Sequence, residues 1–184
     1  MSWRVALDIG AADGSAARVA VQRALDADPD LHLVVVGPRP ADAPDDARAS
    51  WRDATPPSAD LDPVVAVRGR ADLSVRVALE LGRDGEVDAV VSATALPALL
   101  TGTRFLLRRR TGVRDPLVAT TLATVGGDVV VLDTSGHAGT TAGALVEASH
   151  DLGLLPDRIG LLDAGAGDDR AAAALAGRLD RDVR

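Results

Sequence analysis

The run LHLVVV at Leu31–Val36 constrains the fold of this chain more than any other stretch. It is short for a helix, and its successive valines leave no polar face. An apolar run of this kind is a strand covered on both sides, which calls for helices above and below a mostly parallel sheet.

The rest of the chain repeats the unit. Arg4–Ile9 reads as a strand and Ser15–Leu25 as a helix. The segment 37–63 is rich in Pro, Asp and Ala and reads as a loop-rich insertion, with a short helix around Asp45–Arg52. Val64–Val67 reads as a strand. Asp72–Leu81 is a helix with Leu73, Val77 and Leu81 on one face, Asp72 as its N-cap and Gly82 just past its end. A strand over Val87–Val91 leads into a helix over Pro97–Arg109, with proline in the first turn. Leu117–Ala123 and Val129–Leu132 are strands joined by VGGD, a hairpin signal. Gly139–His150, Arg158–Leu162 and Asp168–Leu179 continue as helix, strand and helix. The expectation is a single α/β domain over 1–184: a three-layer, Rossmann-like, mostly parallel sheet with helices on both faces and one antiparallel hairpin.

Composition narrows the chemistry. Only 2% of the residues are aromatic, so the core is built from Ala, Val and Leu. Cysteine is absent, which excludes disulfides, thiolate nucleophiles and Cys-ligated zinc. All 20 basic residues are arginine, which excludes a Walker lysine and a Schiff base. The net charge of −7 argues against nucleic-acid binding. MSWRVALDIG carries no signal-peptide pattern, and no apolar run has the length of a membrane span, so a cytoplasmic protein is expected.

Four loops follow apolar strands and can meet at one sheet edge. In DIGAADG, Asp8 and Asp13 can hold a polar ligand group or a cation; equally, Asp13 can cap the next helix while Asp8 bonds loop amides. In SATALPA, Ser92 and Thr94 offer hydroxyls, Ser92 either to a ligand or as a cap. This loop lacks glycine, and Pro97 removes one N–H. LDTSGHAGTTAG is the most polar of the four: Asp133, Ser135, Gly136 and His137 precede a helix whose N-terminus favours an anion, and His137 can exchange a proton near neutral pH. Asp133, Ser135 and His137 do not form a triad, because their spacing on an extended chain gives no relay. In LLDAGAGDD, Asp168 and Asp169 suit the start of a helix. His32, His137 and His150 have no metal-ligand spacing, so no metal or other cofactor is expected. Arg104, Arg108, Arg109, Arg110 and Arg114 lie within eleven residues of an acidic chain; they either complement a helix C-terminus or steer an acidic partner.

Taken together these segments resemble the PlsX family, the phosphate:acyl-(acyl carrier protein) acyltransferases of bacterial lipid synthesis. Ser74, Arg76 and Ala78 match the family's S-M-R-x-A pattern, Ser92 and Ala93 its V-S-A, Arg114 and Pro116 its R-P, and Leu132 and Asp133 its L-D. ALDIGAAD aligns with A-L-D-x-M-G-G-D, placing Asp8 and Asp13 in register. The resemblance covers nearly all of this chain and about the first half of a family member. The departures are specific. Thr94, Ala95, Leu96 and Pro97 stand where the family has Gly-Asn-Thr-Gly; Ala11 and Ala12 replace a double glycine; His137 and Gly139 fall where asparagine and aspartate are usual; Arg170 replaces a lysine.

The resemblance implies two readings. In the first, the protein acts on or binds acyl groups held by an acyl carrier protein, as acyl thioester or acyl phosphate, in fatty acid biosynthesis or in specialised lipid or polyketide metabolism. His137 and Ser135 would be catalytic, and Asp8, Asp13, Ser92, Thr94, Asp133 and Gly136 would bind substrate. In the second, it is a non-catalytic scaffold that has lost the acyltransferase site and uses the arginines to hold a carrier protein or a partner enzyme subunit. The family's dimers imply a homodimer.

Overall fold

The computed structural model describes residues 2–10, 12–58, 60–108 and 118–133. The chain divides into two compact units, Met1–Arg108 and Arg109–Arg184. In the first unit the elements run β1 (Trp3–Asp8), α1 (Gly14–Ala27), β2 (Leu31–Val36), β3 (Ala49–Arg52), α2 (Pro63–Gly69), α3 (Ser74–Arg83), β4 (Ala89–Ser92) and α4 (Leu96–Leu106). The four strands form one sheet in the order β3-β2-β1-β4, and every pairing is parallel.

The apolar run of β2 behaves as its sequence requires. Leu33 and Val35 face α1 with Ile9, Ala17, Val21 and Leu25, while Val34 and Val36 face α3 with Ala6, Ala78, Leu81 and Val87. Each of these four valine and leucine residues thus has a helix to pack on, and the α/β sheet with helices on both faces is the observed fold. The α3 side is deeper: Ala66 and Val67 of α2 and Leu73, Val75 and Leu79 of the α3 segment form a further cluster, against which Leu99 and Leu106 of α4 pack.

Two elements differ from the sequence expectation. The segment read as a short helix around Asp45–Arg52 contains strand β3 instead. Its alanine, aspartate and arginine content suits a helix, but Ala49 and Trp51 alternate with exposed Ser50 and Arg52, a period of two that lays Ala49 and Trp51 on the α1 face. Arg48 fixes the entry: its guanidinium donates to the carbonyls of Leu25 and Asp28 at the end of α1 and to the Asp46 carboxylate. That pairing holds the Asp46 carboxyl below its ordinary range.

The second correction concerns Val64–Val67, read as a strand and found in α2. Valine favours strands, yet Asp62 accepts from the amides of Val64 and Val65 and Pro63 occupies the first turn. A cap followed by proline starts a helix, and Ala66 and Val67 then complete a buried face.

Two smaller differences lie at α3. Leu73, not Asp72, holds the cap position, without a side-chain bond. The Asp72 carboxylate accepts from the Thr55 hydroxyl at 2.5 Å and from Arg70, which together lower its pKa. Gly82 lies inside the helix, and Gly85, at φ +74°, follows its end.

In the second unit the described residues form a hairpin, β5 (Val118–Thr124) and β6 (Gly127–Asp133), paired antiparallel as expected. The turn leaves Gly127 at φ +114°, where a side chain is strained, and the Thr124 hydroxyl donates to the Gly127 carbonyl at 2.6 Å. Among the described residues no helix is long and apolar enough to cross a membrane.

Candidate functional site

The strand order turns back on itself at β1. From β1 the chain builds outward through β2 and β3, then returns to place β4 on the other side of β1. In an open parallel sheet this reversal opens a crevice at the carboxyl ends of the two strands, where the helices that follow them diverge. The two strands end together: Asp8, the last residue of β1, is in register with Ser92, the last residue of β4.

Asp8 is fully buried. One carboxylate oxygen accepts from the Ser92 hydroxyl at 2.5 Å and from the Thr94 hydroxyl at 2.7 Å. The other accepts from the Gly10 amide at 2.9 Å. The Asp8 carbonyl accepts from the Ala93 amide at 2.8 Å, and the Ser92 hydroxyl, while donating to Asp8, accepts from the Thr94 amide at 3.1 Å. A buried carboxylate persists only when its lone pairs are satisfied. Here the donors come from its own loop and from a segment 84 to 86 residues away. The result is a closed knot that locks the β1–α1 loop to the β4–α4 loop at the mouth of the crevice.

Gly10 belongs to this knot, although neither a glycine-rich motif nor a spacing rule marks it in the sequence. It sits at φ +54°, and a Cβ there would lie 3.0 Å from the Thr94 hydroxyl oxygen and 3.2 Å from the Thr94 amide nitrogen. The only sequence signal is its position two residues after Asp8, which lets its amide turn back to the carboxylate.

Asp13, five residues on, does something different. It is the N-cap of α1, accepting from the Ala16 amide at 2.8 Å and from the Ser15 hydroxyl at 2.5 Å. The Ser15 hydroxyl, with the Ala16 amide behind it, lowers its pKa. Ser92 caps nothing: α4 starts from Ala95 with no side-chain cap, and Pro97 stands in its first turn. The structure therefore brings together Asp8, Ser92 and Thr94 of the expected site residues. Asp13 lies on the same loop as Asp8 but is engaged locally.

The glycine-free β4–α4 loop has a physical account. Thr94 supplies a hydroxyl to Asp8 that glycine would not, and it is buried while Ala93, Ala95, Leu96 and Pro97 are exposed. Loop order here is set by side-chain hydrogen bonds to Asp8.

Ser135, Gly136 and His137 lie outside the described residues, as do Arg109, Arg110 and Arg114. Asp133 is the last residue of β6, paired with Val118; its side chain is likewise outside them. Arg104 and Arg108 are exposed at the C-terminal end of α4. Among the described residues no group of three or more His, Asp or Glu side chains is placed to hold a metal ion.

A family model described as fatty acid synthesis protein matches residues 3–175. The phosphate acyltransferase of Halorhodospira halophila is 34% identical over 165 residues, which cover 79% of this chain and 48% of that protein. The phosphate acyltransferase of Pseudomonas fluorescens is 35% identical over 161 residues, 78% of this chain and 48% of that protein. That of Trichlorobacter lovleyi is 37% identical over 113 residues, 57% of this chain and 33% of that protein. The chain spans at most about half the length of these curated relatives.

Proposed function

The chain belongs to the fatty acid synthesis protein family, the PlsX family of phosphate acyltransferases, and from that premise we propose that it handles acyl groups at the crevice between β1 and β4. The observation that carries this reading is the knot of Asp8, Ser92, Thr94 and Gly10 at the sheet's reversal point. It fixes the ends of both strands where a ligand binds in folds of this type. The exposed residues on either side, Ala12–Ser15 on one loop and Ala93 and Ala95–Pro97 on the other, border the space an acyl group would enter.

The substrate is an acyl group joined as a thioester to an acyl carrier protein, and the acceptor is inorganic phosphate. A phosphate oxygen attacks the thioester carbonyl, the C–S bond breaks, and the carrier thiolate leaves and takes up a proton. Asp8 is a positioning residue in this scheme, because its oxygens are already committed to the loops. From the family resemblance, His137 is proposed to carry the proton and Ser135 to take part in catalysis, with Asp133 and Gly136 as substrate-binding residues. The test is incubation of the full chain with acyl carrier-protein thioesters and phosphate, trapping acyl phosphate with hydroxylamine. Hydroxamate formation supports the reading, and loss of it in His137→Ala supports the role of that side chain. Absence of product and of any bound acyl species by mass spectrometry sinks it.

A second reading is favoured by one observation: the hydroxyls of Ser92 and Thr94 are both spent on Asp8. Under it the chain is a non-catalytic subunit that keeps the sheet and holds a carrier protein or partner enzyme. Stable binding of a carrier protein without turnover would support that reading over the first.

A further inference from the structure

We propose that the hydrocarbon tail of the acyl group lies on a bare strip of sheet beside α1, running from the crevice along β4 and β1 to Trp3; the inference rests on the acyl-handling reading above. The two faces of the sheet are covered unequally. On one face α3 packs against β1, β2 and β4, with α2 and α4 behind it. On the other, α1 is the only helix among the described residues, and it packs over β2. Residues in parallel register share a face, so Leu33 and Val35 of β2 place Val5 and Leu7 of β1, and Ala89 and Val91 of β4, on the α1 face. Val5 and Leu7 are partly covered by the α1 cluster. Ala89 and Val91 are exposed, Val91 at 52%, and Trp3, next along β1 on the same face, is 47% exposed.

The flank of α1 that borders the strip is alanine. A Cβ on Gly14 would lie 3.1 Å from Pro40, and Arg18 pairs with Asp42, so that flank faces the loop after β2. The opposite flank, on the β4 side, carries exposed Ala16 and Ala20, and its one charge is Arg23, almost a turn further on.

Floor and wall are therefore apolar, and their dimensions select the occupant. The strip is one strand wide, about 4.8 Å, which suits a single alkyl chain; a helix is about 10 Å across. It begins beside Ser92, at the level of the knot that fixes the crevice. At its far end Trp3 lies about 13 Å along β1 from Leu7. A tail that leaves a carbonyl held at the crevice is covered on two sides by following the strands.

The test uses a fatty acid with bromine at its tail, which quenches tryptophan fluorescence on contact. The chain has two tryptophans, so Trp51→Phe leaves Trp3 as the reporter. Titration should quench Trp3. Unlabelled saturated fatty acids should displace the probe about twofold more tightly for each half-covered methylene added, until the tail reaches Trp3 and the gain stops. Val91→Asp should weaken binding about tenfold or more, and Ala20→Glu a few-fold. Val65→Asp, at an exposed valine on α2 across the sheet, should change nothing. Circular dichroism checks that each variant is folded. Absence of quenching, or quenching that survives both Val91→Asp and Ala20→Glu in folded protein, overturns the proposal. So does self-association abolished by Val91→Asp with no fatty acid bound, because the strip is then an interface between copies. Hydroxamate formation from acyl carrier-protein thioesters without this binding leaves the acyl-handling reading standing and overturns the strip. Val91-dependent fatty acid binding without hydroxamate supports the strip and counts against turnover.

Discussion

Asp8 and Asp13 stand on one short loop and read alike in the sequence, yet they do opposite kinds of work. Asp8 is buried and joins two strand ends whose residues are 84 to 86 apart in the chain. Asp13 is exposed and bonds only residues two and three positions ahead. One carboxylate holds tertiary structure at the crevice; the other starts a helix. The difference follows from burial, because a satisfied acceptor in a low-dielectric interior supports three donors that would otherwise be stranded, whereas a surface cap competes with water.

The sharpest way to break this contrast is Asp8→Ala. It strands the Ser92 and Thr94 hydroxyls and the Gly10 amide, and should cost at least ~3 kcal/mol, read as a lowered urea midpoint; a loss no larger than that of Asp13→Ala would erase the distinction. Gly10→Ala comes next. Its positive φ and the 3.0 Å approach to Thr94 should cost about 2 kcal/mol, and proton exchange at the Thr94 amide should quicken. Thr94→Val keeps the shape and removes one charge-assisted bond, with an expected loss of about 1.5 kcal/mol. The wild type and this variant should show the same α1 protection, because Asp13 acts without Thr94.

Asp13→Ala should have the smallest effect on stability, with faster amide exchange limited to the first turn of α1. Its pH dependence sharpens the comparison. The folded pKa of Asp13 lies below the ordinary aspartate value of 3.8, so the unfolded chain binds its proton first as the pH falls. The stability it contributes is therefore present above 3.8 and is lost as the pH drops through the lower folded value. Wild type and Asp13→Ala should converge in stability in acid and differ at neutral pH. A gap that persists in strong acid would show that the side chain acts by something other than its charge.

Much of the fold was legible because its signals are local. LHLVVV required cover on both faces and received it from α1 and α3. VGGD at Val125–Asp128 marked the hairpin, and Asp13 was readable as a cap from the helix it precedes. The two misread segments failed for opposite reasons. At Val64–Val67 residue preference pointed to a strand while the Asp62–Pro63 start, also local, pointed to a helix, and the start prevailed because the helix buries Ala66 and Val67. At β3 the composition suited a helix, and only pairing with β2 turned Ala49–Arg52 into an edge strand.

The candidate site divides along the same line. The residue types of Asp8, Ser92 and Thr94, the ends of the strands that carry them and the likeness to an acyltransferase family were all present in the sequence. That these three side chains form one knot, with Gly10 inside it and Asp13 outside, was decided by the parallel register of β1 on β4. A hydrogen bond across more than eighty residues leaves no periodic trace in the chain, because it depends on where the sheet brings two strand ends and not on what lies beside either of them.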